Sequence, residues 1–209
     1  DGMKVTKITV DGQDVLLSAG GRGGPGLTQP VATNLSQTVA AIRLTKPVPA
    51  KGTAKLDIEW NFRVQKVEGQ RGMRMGAWGD SLAQVAQWYP RVAVYDDLRG
   101  WDTDPYLGPS EFYNNFGRFD VKIDAPAGWV VGSTGVLQNP QEVLTPVARE
   151  RLSHVLESDS QRTIVGADER GPGRATAAGD RLVWHFVAAT ALHPAARIAS
   201  PPARPSRES

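Results

Sequence analysis

The sequence predicts a mainly β chain: an antiparallel sandwich or saddle with one short helix, at about residues 145–157, and a disordered C-terminal tail. Three observations carry this expectation. Apolar and polar residues alternate in several separate stretches, most regularly in Leu56-Asp57-Ile58-Glu59-Trp60-Asn61-Phe62. A period of two with one apolar face marks a half-buried antiparallel strand. Turn signals made of Gly, Pro and Asn separate these stretches at regular spacing, which favours two packed sheets over a barrel. Helical periodicity appears in one place, residues 141–157.

Composition bounds what such a chain can be. Its 209 residues fit one sizeable domain with tails, here residues 1–189 followed by 190–209. A hydrophobic content of 40% supplies a core and excludes a fully disordered chain. Lys and Arg number 24 against 22 Asp and Glu. A net charge of +2 gives no concentrated basic face, so nucleic acid is not the expected partner. No apolar run nears the ~20 residues that span a bilayer, and the chain opens at Asp1 on strand-like sequence without a leader pattern. The lack of cysteine excludes disulfides and thiolate chemistry and leaves the compartment open.

Along the chain, Val5, Ile8 and Val10, then Val15 and Leu17, supply a buried face on either side of Asp11-Gly12, a hairpin signal. GGRGGPG at 20–26 reads as a surface loop; without a following Lys-Ser or Lys-Thr it is no phosphate cradle. Val39, Ile42 and Leu44 form a strand before a turn at 49–52, and the alternating stretch 56–62 is the strongest strand of all. Residues 67–80, with four Gly, read as a loop or strained edge. Short strands are expected at 83–87 and 92–95, around a corner at Trp88-Tyr89-Pro90, where Pro removes a ladder donor. Phe119, Val121 and Ile123 alternate, Pro126-Ala127-Gly128 turns, and a strand begins at Trp129. In the helical segment Pro146 fits the first turn, with Val143, Leu144, Val147, Leu152, Val155 and Leu156 on one face. RTIVGADERG suggests a strand with a turn, and 180–188 a final strand with Leu182, Trp184 and Phe186 inward.

Residues 84–117 break these periods with aromatic and acidic side chains among Pro and Gly, the pattern of a structured loop. Its acids Asp96, Asp97, Asp102, Asp104 and Glu111 lie near Tyr95, Trp101, Tyr106 and Tyr113. They admit a carboxylate pair for glycoside chemistry, an oxygen-ligand Ca²⁺ site, or turn caps and ion pairs with Arg91, Arg99 and Arg118. The spacing lacks the DxDxDG pattern, and the nearby Arg side chains favour the structural role. His154, His185 and His193 are too dispersed for a local metal pair; neither HExxH nor GxSxG occurs. His185, beside Trp184, reads as a structural histidine, and His154 as lying on the wet side of the helix.

In order, QWYPRVAVYDD, GWDTDPYLG and EFYNNFGRFDV resemble the N-terminal β-domain of the M1 family of zinc aminopeptidases, in a bacterial branch. The resemblance covers most of residues 3–188 and takes in LDIEWNF, APAGWVVGSTGVLQNP and LVWHF. In that family a saddle-like β-domain precedes a thermolysin-like catalytic domain with an HExxH zinc helix, a distant Glu and a GxMEN-type anchoring motif. The resemblance therefore implies a non-catalytic domain with no catalytic or metal residue and no cofactor in this chain, zinc belonging to the parent enzyme. The implied partners are the missing catalytic domain and, in the full enzyme, a peptide substrate. In the family a Gln or Glu shortly before a conserved Arg helps bind the substrate's free amino terminus. Arg91 matches that Arg, and Gln87 is the implied substrate-binding residue, with Gln84 the alternative; an amide oxygen accepts a hydrogen bond from the ammonium. After WHF the composition turns to Ala, Pro and Arg, and a frameshift or truncated gene near 188–190 is the expectation. The rival expectation is a free-standing adhesion or carbohydrate-binding β-sandwich that uses Trp88, Trp101, Tyr106 and Tyr113 as its platform.

Overall fold

A computed structural model describes residues 2–18, 26–35, 38–69, 74–104, 114–157, 159–191 and 196–199. Its strands are β1 (Lys4–Val10), β2 (Gln13–Asp14), β3 (Leu16–Leu17), β4 (Val31–Thr33), β5 (Ala41–Arg43), β6 (Leu56–Asn61), β7 (Gly76–Trp78) and β8 (Leu82–Val85). They continue with β9 (Tyr95–Asp96), β10 (Gly100–Trp101), β11 (Gly117–Pro126), β12 (Val130–Ser133), β13 (Val136–Leu137), β14 (Arg181–Ala191) and β15 (Ala196–Ala199). Two short helices, α1 (Pro140–Val143) and α2 (Pro146–Ser153), separate β13 from β14. The chain is mainly β, with several antiparallel sheets; among the described ladders only β3–β4 is parallel. The chain divides into two compact units interleaved in sequence. The first unit holds Asp1–Arg63 and Tyr89–Asn114, the second Val64–Trp88 and Asn115–Ser209.

In the first unit the Asp11-Gly12 turn sets the register. Asp11 (φ 49°) and Gly12 (φ 81°) both occupy the left-handed region, as a two-residue primed turn requires. The turn closes β1 on β2 with Val10 opposite Gln13. The Asp11 carboxylate accepts a hydrogen bond from the Lys55 backbone N–H at 2.8 Å, which ties the turn to the start of β6. β6 alternates half-buried and exposed residues throughout, as its period-two pattern predicts. Ile8, Val10, Val15 and Ala32 are buried, with Leu17, Ile42, Leu56 and Ile58 packed around them. Apart from Val15, which lies between β2 and β3, these side chains come from the sheets β2-β1-β6 and β3-β4-β5, which therefore share one core.

In the second unit, β11 and β14 form the longest ladder, from Gly117 opposite Ala191 to Pro126 opposite Arg181. Leu182, Trp184 and Phe186 point inward from β14, packed with Ala125, Ala127, Val131, Val143, Leu144 and Ala148. β13 lies along the other edge of β14; just past it Gln138 still donates its N–H to the His185 carbonyl at 2.8 Å, and Pro140 has no N–H to give. Asn139 continues the pairing with its side chain: its Nδ2 donates to the Val183 carbonyl at 2.9 Å, and its Oδ1 accepts from the His185 N–H at 3.0 Å. The turn between β12 and β13 needs glycine at 135, where φ is 102° and a Cβ would lie 2.6 Å from the Val187 carbonyl oxygen.

Several expectations change here. The helical period over 141–157 divides at Leu144, which is extended (φ −113°, ψ 147°) and bridges Thr176. Pro146 does open α2, with Thr145 as its N-cap. The break resets the helical phase, so Val147 is 58% exposed while Ala148 is buried. RTIVGADERG is not a strand. Glu169 caps a 3₁₀ turn, Ala167–Glu169, by accepting from the Gly166 N–H at 2.8 Å, and it pairs with Arg151 at 2.6 Å. The stretch 67–80 contains β7, and β14 is not the last strand. It ends at Ala191, and 196–199 form β15. Ladders on both sides of β15 supply what the Ala-Arg-Ile-Ala sequence does not advertise. Of the segment 20–26 only Gly26 is described, and 200–209 lie outside the described residues.

Trp184 is 1% exposed, and its indole N–H has no hydrogen-bond partner among the described residues. Trp184→Ala should cost ~3–5 kcal/mol from lost burial and the cavity. Trp184→Phe, which removes the unsatisfied donor along with some volume, should cost less than ~1.5 kcal/mol. Urea denaturation of both variants checks this ordering. Glu169 gives a pH prediction. The Arg151 guanidinium first, and then the Gly166 N–H, hold its carboxyl below the ordinary carboxylate range. A folded value below the unfolded one means that the stabilisation is complete above the ordinary range and disappears as pH falls through the folded value. Wild type should exceed Glu169→Gln in urea midpoint at neutral pH, with the gap closing as pH falls below the ordinary carboxylate range.

Candidate functional site

The QWYPR segment spans the boundary between the two units: Gln87 and Trp88 end a stretch of the second, and Tyr89, Pro90 and Arg91 belong to the first. β8 reaches this boundary as part of the four-stranded sheet β12-β15-β8-β7. Gln84 lies in its middle, opposite Gly76 of β7 and Arg197 of β15. Its Nε2 donates to the Arg74 carbonyl at 3.0 Å, which leaves the amide oxygen as the acceptor. Two residues beyond β8, Gln87 is exposed and adopts the left-handed conformation at φ 52°. Such a conformation costs a non-glycine residue about 1 kcal/mol and redirects the side chain away from the line of the strand. The two candidate amides thus sit on and just past one strand, whereas Arg91 belongs to the other unit.

Trp88 is half-buried and its indole nitrogen is enclosed, so it is not a surface platform. Burial pushes the Tyr89 phenol above its ordinary value, against an opposing effect of the Arg91 charge. In the first unit, the strand expected at 92–95 shrinks to β9, which begins at Tyr95 and pairs with β10. The cause is a turn: Asp96 Oδ1 accepts from the N–H groups of Leu98 at 2.9 Å and Arg99 at 2.6 Å, and Gly100 (φ 75°) closes it. Tyr95 (63% exposed) and Trp101 (55% exposed) meet edge to face across the hairpin, with ring centroids 5.2 Å apart and planes at 72°.

Asp96 therefore behaves as a turn cap. Tyr106, Glu111, Tyr113 and His193 lie outside the described residues. His185 contacts the Asp120 carboxylate through Nε2 at 2.7 Å, and His154 contacts Glu157 through Nδ1 at 2.7 Å. The described residues contain no group of three or more His, Asp or Glu placed to hold a metal ion. Comparison with protein-family models, with curated proteins and with solved structures finds no match in any of the three.

The aromatic pair and the Asp96 cap could have been seen in the sequence, because Asp followed four residues later by Gly is a turn signal. The position of Gln84 beside Arg197 could not, since nothing local marks Ala196–Ala199 as a strand. Gln87→Gly should remove the left-handed strain at the cost of some chain entropy, leaving stability unchanged or raised by up to ~1 kcal/mol. Thermal melting of this variant beside Gln87→Ala, which keeps the strain, is the check.

Proposed function

We propose that this chain is the non-catalytic N-terminal β-domain of an M1-type zinc aminopeptidase, walling one side of the active-site cleft formed with a separate catalytic domain. The observation that carries the reading is the order of QWYPR…YDD, GWDTDPYLG and EFYNNFG on a mainly β chain of several antiparallel sheets. Gln87 is the residue assigned to the substrate's free amino terminus, with Gln84 the alternative. The exposure and redirected backbone of Gln87 favour it, since a side chain displayed beyond a strand end can reach a ligand. The catalytic domain would supply the zinc and the activated water; the role of this chain is to bind and orient.

Alone, the purified chain should hydrolyse no aminoacyl-p-nitroanilide, with or without added zinc, and chelator-sensitive turnover would overturn the reading. With an M1-type catalytic domain supplied in trans, Gln87→Ala should raise KM for peptides about tenfold or more at nearly constant kcat. This corresponds to losing a charged hydrogen bond of ~1.5–3 kcal/mol from ground-state binding. An unchanged KM for Gln87→Ala with a raised KM for Gln84→Ala would move the assignment to Gln84. The exposed Tyr95–Trp101 pair favours one other reading, a carbohydrate-binding module that stacks sugar on an aromatic face. Saturable quenching of Trp fluorescence by a glycan, lost in Trp101→Ala, would support it instead.

A further inference from the structure

The sheet β12-β15-β8-β7 has an unusual composition: its second strand comes from residues 196–199, far along the chain from its neighbours. β15 pairs antiparallel on both sides. Ala196, Arg197, Ile198 and Ala199 face Val85, Gln84, Ala83 and Leu82 of β8 on one side. The same four residues face Ser133, Gly132, Val131 and Val130 of β12 on the other. β12 has no other ladder partner among the described residues, and the remaining edge of β8 is held by β7. Taking β15 away would leave two parallel-running gaps in hydrogen bonding, one on each wall of a slot a single strand wide. Strands spaced ~4.8 Å apart put these walls ~10 Å from each other. Unpaired edges of this kind take up any extended chain that offers its backbone.

We propose that the slot between β8 and β12 is a binding site for an extended peptide, and that residues 196–199 are its intramolecular occupant. Recognition is through main-chain hydrogen bonds on both sides. Successive residues of an inserted strand present their N–H groups alternately to the two walls, so proline at either inner position removes a donor from one wall. The ligand class is therefore a proline-free extended segment of four residues or more. Both flanks of the native occupant are proline-bearing, Pro194 before it and Pro201 after it, which limits its length. Gln84 lines the slot opposite Arg197. The proposal rests on strand pairing within one unit and does not depend on the aminopeptidase reading. A tethered occupant competes at an effective concentration in the millimolar range, so a free peptide should enter only when the tethered strand is weakened.

The probe is a fluorescein-labelled octapeptide with the sequence of residues 194–201, titrated into the full chain by fluorescence anisotropy. Ile198→Pro should bind it at least tenfold more tightly than wild type, and the same peptide with proline at the Ile position should bind neither. Equal affinity for the two chains, or no binding to either, would overturn the proposal. So would binding of the proline peptide. A concentration-dependent dimer of wild type that the octapeptide does not dissociate would make the occupant a second copy and also overturn it. Should Ile198→Pro lose its circular dichroism signature, the pair Ala83→Cys and Ile198→Cys decides, in a chain with no cysteine of its own. The oxidised form should bind the octapeptide at least tenfold more weakly than the reduced form. Failure of the disulfide to form, or equal binding by both forms, would count against the slot.

Discussion

The second unit depends on one constraint, the antiparallel pairing of β11 with β14. From Phe119 to Pro126 the register is unbroken, so fixing a single pair, Ile123 opposite Trp184, places the other side chains of that stretch on their faces; the shift lies between Gly117 and Phe119. A slip of one residue would turn Trp184, Leu182 and Phe186 out to water, which makes the register strongly determined. Each of these side chains is worth ~1.5–3 kcal/mol when buried, more than any local preference in the segment. The inner face becomes the core and the outer face collects polar pairs. There His185 meets Asp120, and Arg181 meets Asp124 through Nε at 2.9 Å.

The elements between β13 and β14 are then attached by polar groups that stand in for backbone. Asn139 bonds Val183 and His185 as a strand residue would, which lets the chain leave the sheet at Pro140 without orphaning the edge of β14. Thr176, fully buried, accepts from the Gly128 N–H at 2.9 Å and bridges Leu144, so the β11–β12 turn and the break between the helices share one anchor. Glu169 and Arg151 secure the outer end of α2. An exposed ion pair alone contributes little, but here the carboxylate also satisfies a backbone donor.

What the sequence made legible follows from range. Patterns set by a residue and its neighbours two or four places away were readable: the alternation of β6, β11 and β14, the Asp11-Gly12 turn, and Pro146 at the start of α2. The helical face was misassigned because one extended residue, Leu144, shifts the phase of all that follows, and its cause is a partner 32 positions on, Thr176. β15 was invisible for a similar reason, since its pairing comes from β8 and β12 and not from its own composition. The candidate site was half legible. Gln84 and Gln87 could be singled out, but not the left-handed backbone that separates their surroundings, nor the boundary between units that falls at Trp88.

The segment Val64–Trp88 belongs to the second unit although first-unit sequence lies on both sides of it. The ladder that joins this segment to the later strands of its unit runs through β15, between β8 and β12. β8, whose chain turns at Gln87, is therefore held on one edge by β7 and on the other by a strand, Ala196–Ala199, that its local sequence does not mark. The hold of β15 on β8 runs through main-chain hydrogen bonds, with Ala196 to Ala199 opposite Val85 to Leu82. Such bonds are worth only ~0.5–1.5 kcal/mol each after exchange with water. A residue in a strained conformation persists where its surroundings over-determine it. At Gln87 the preceding strand is held by two ladders, β7 on one edge and β15 on the other, and the left-handed turn comes two residues past their end.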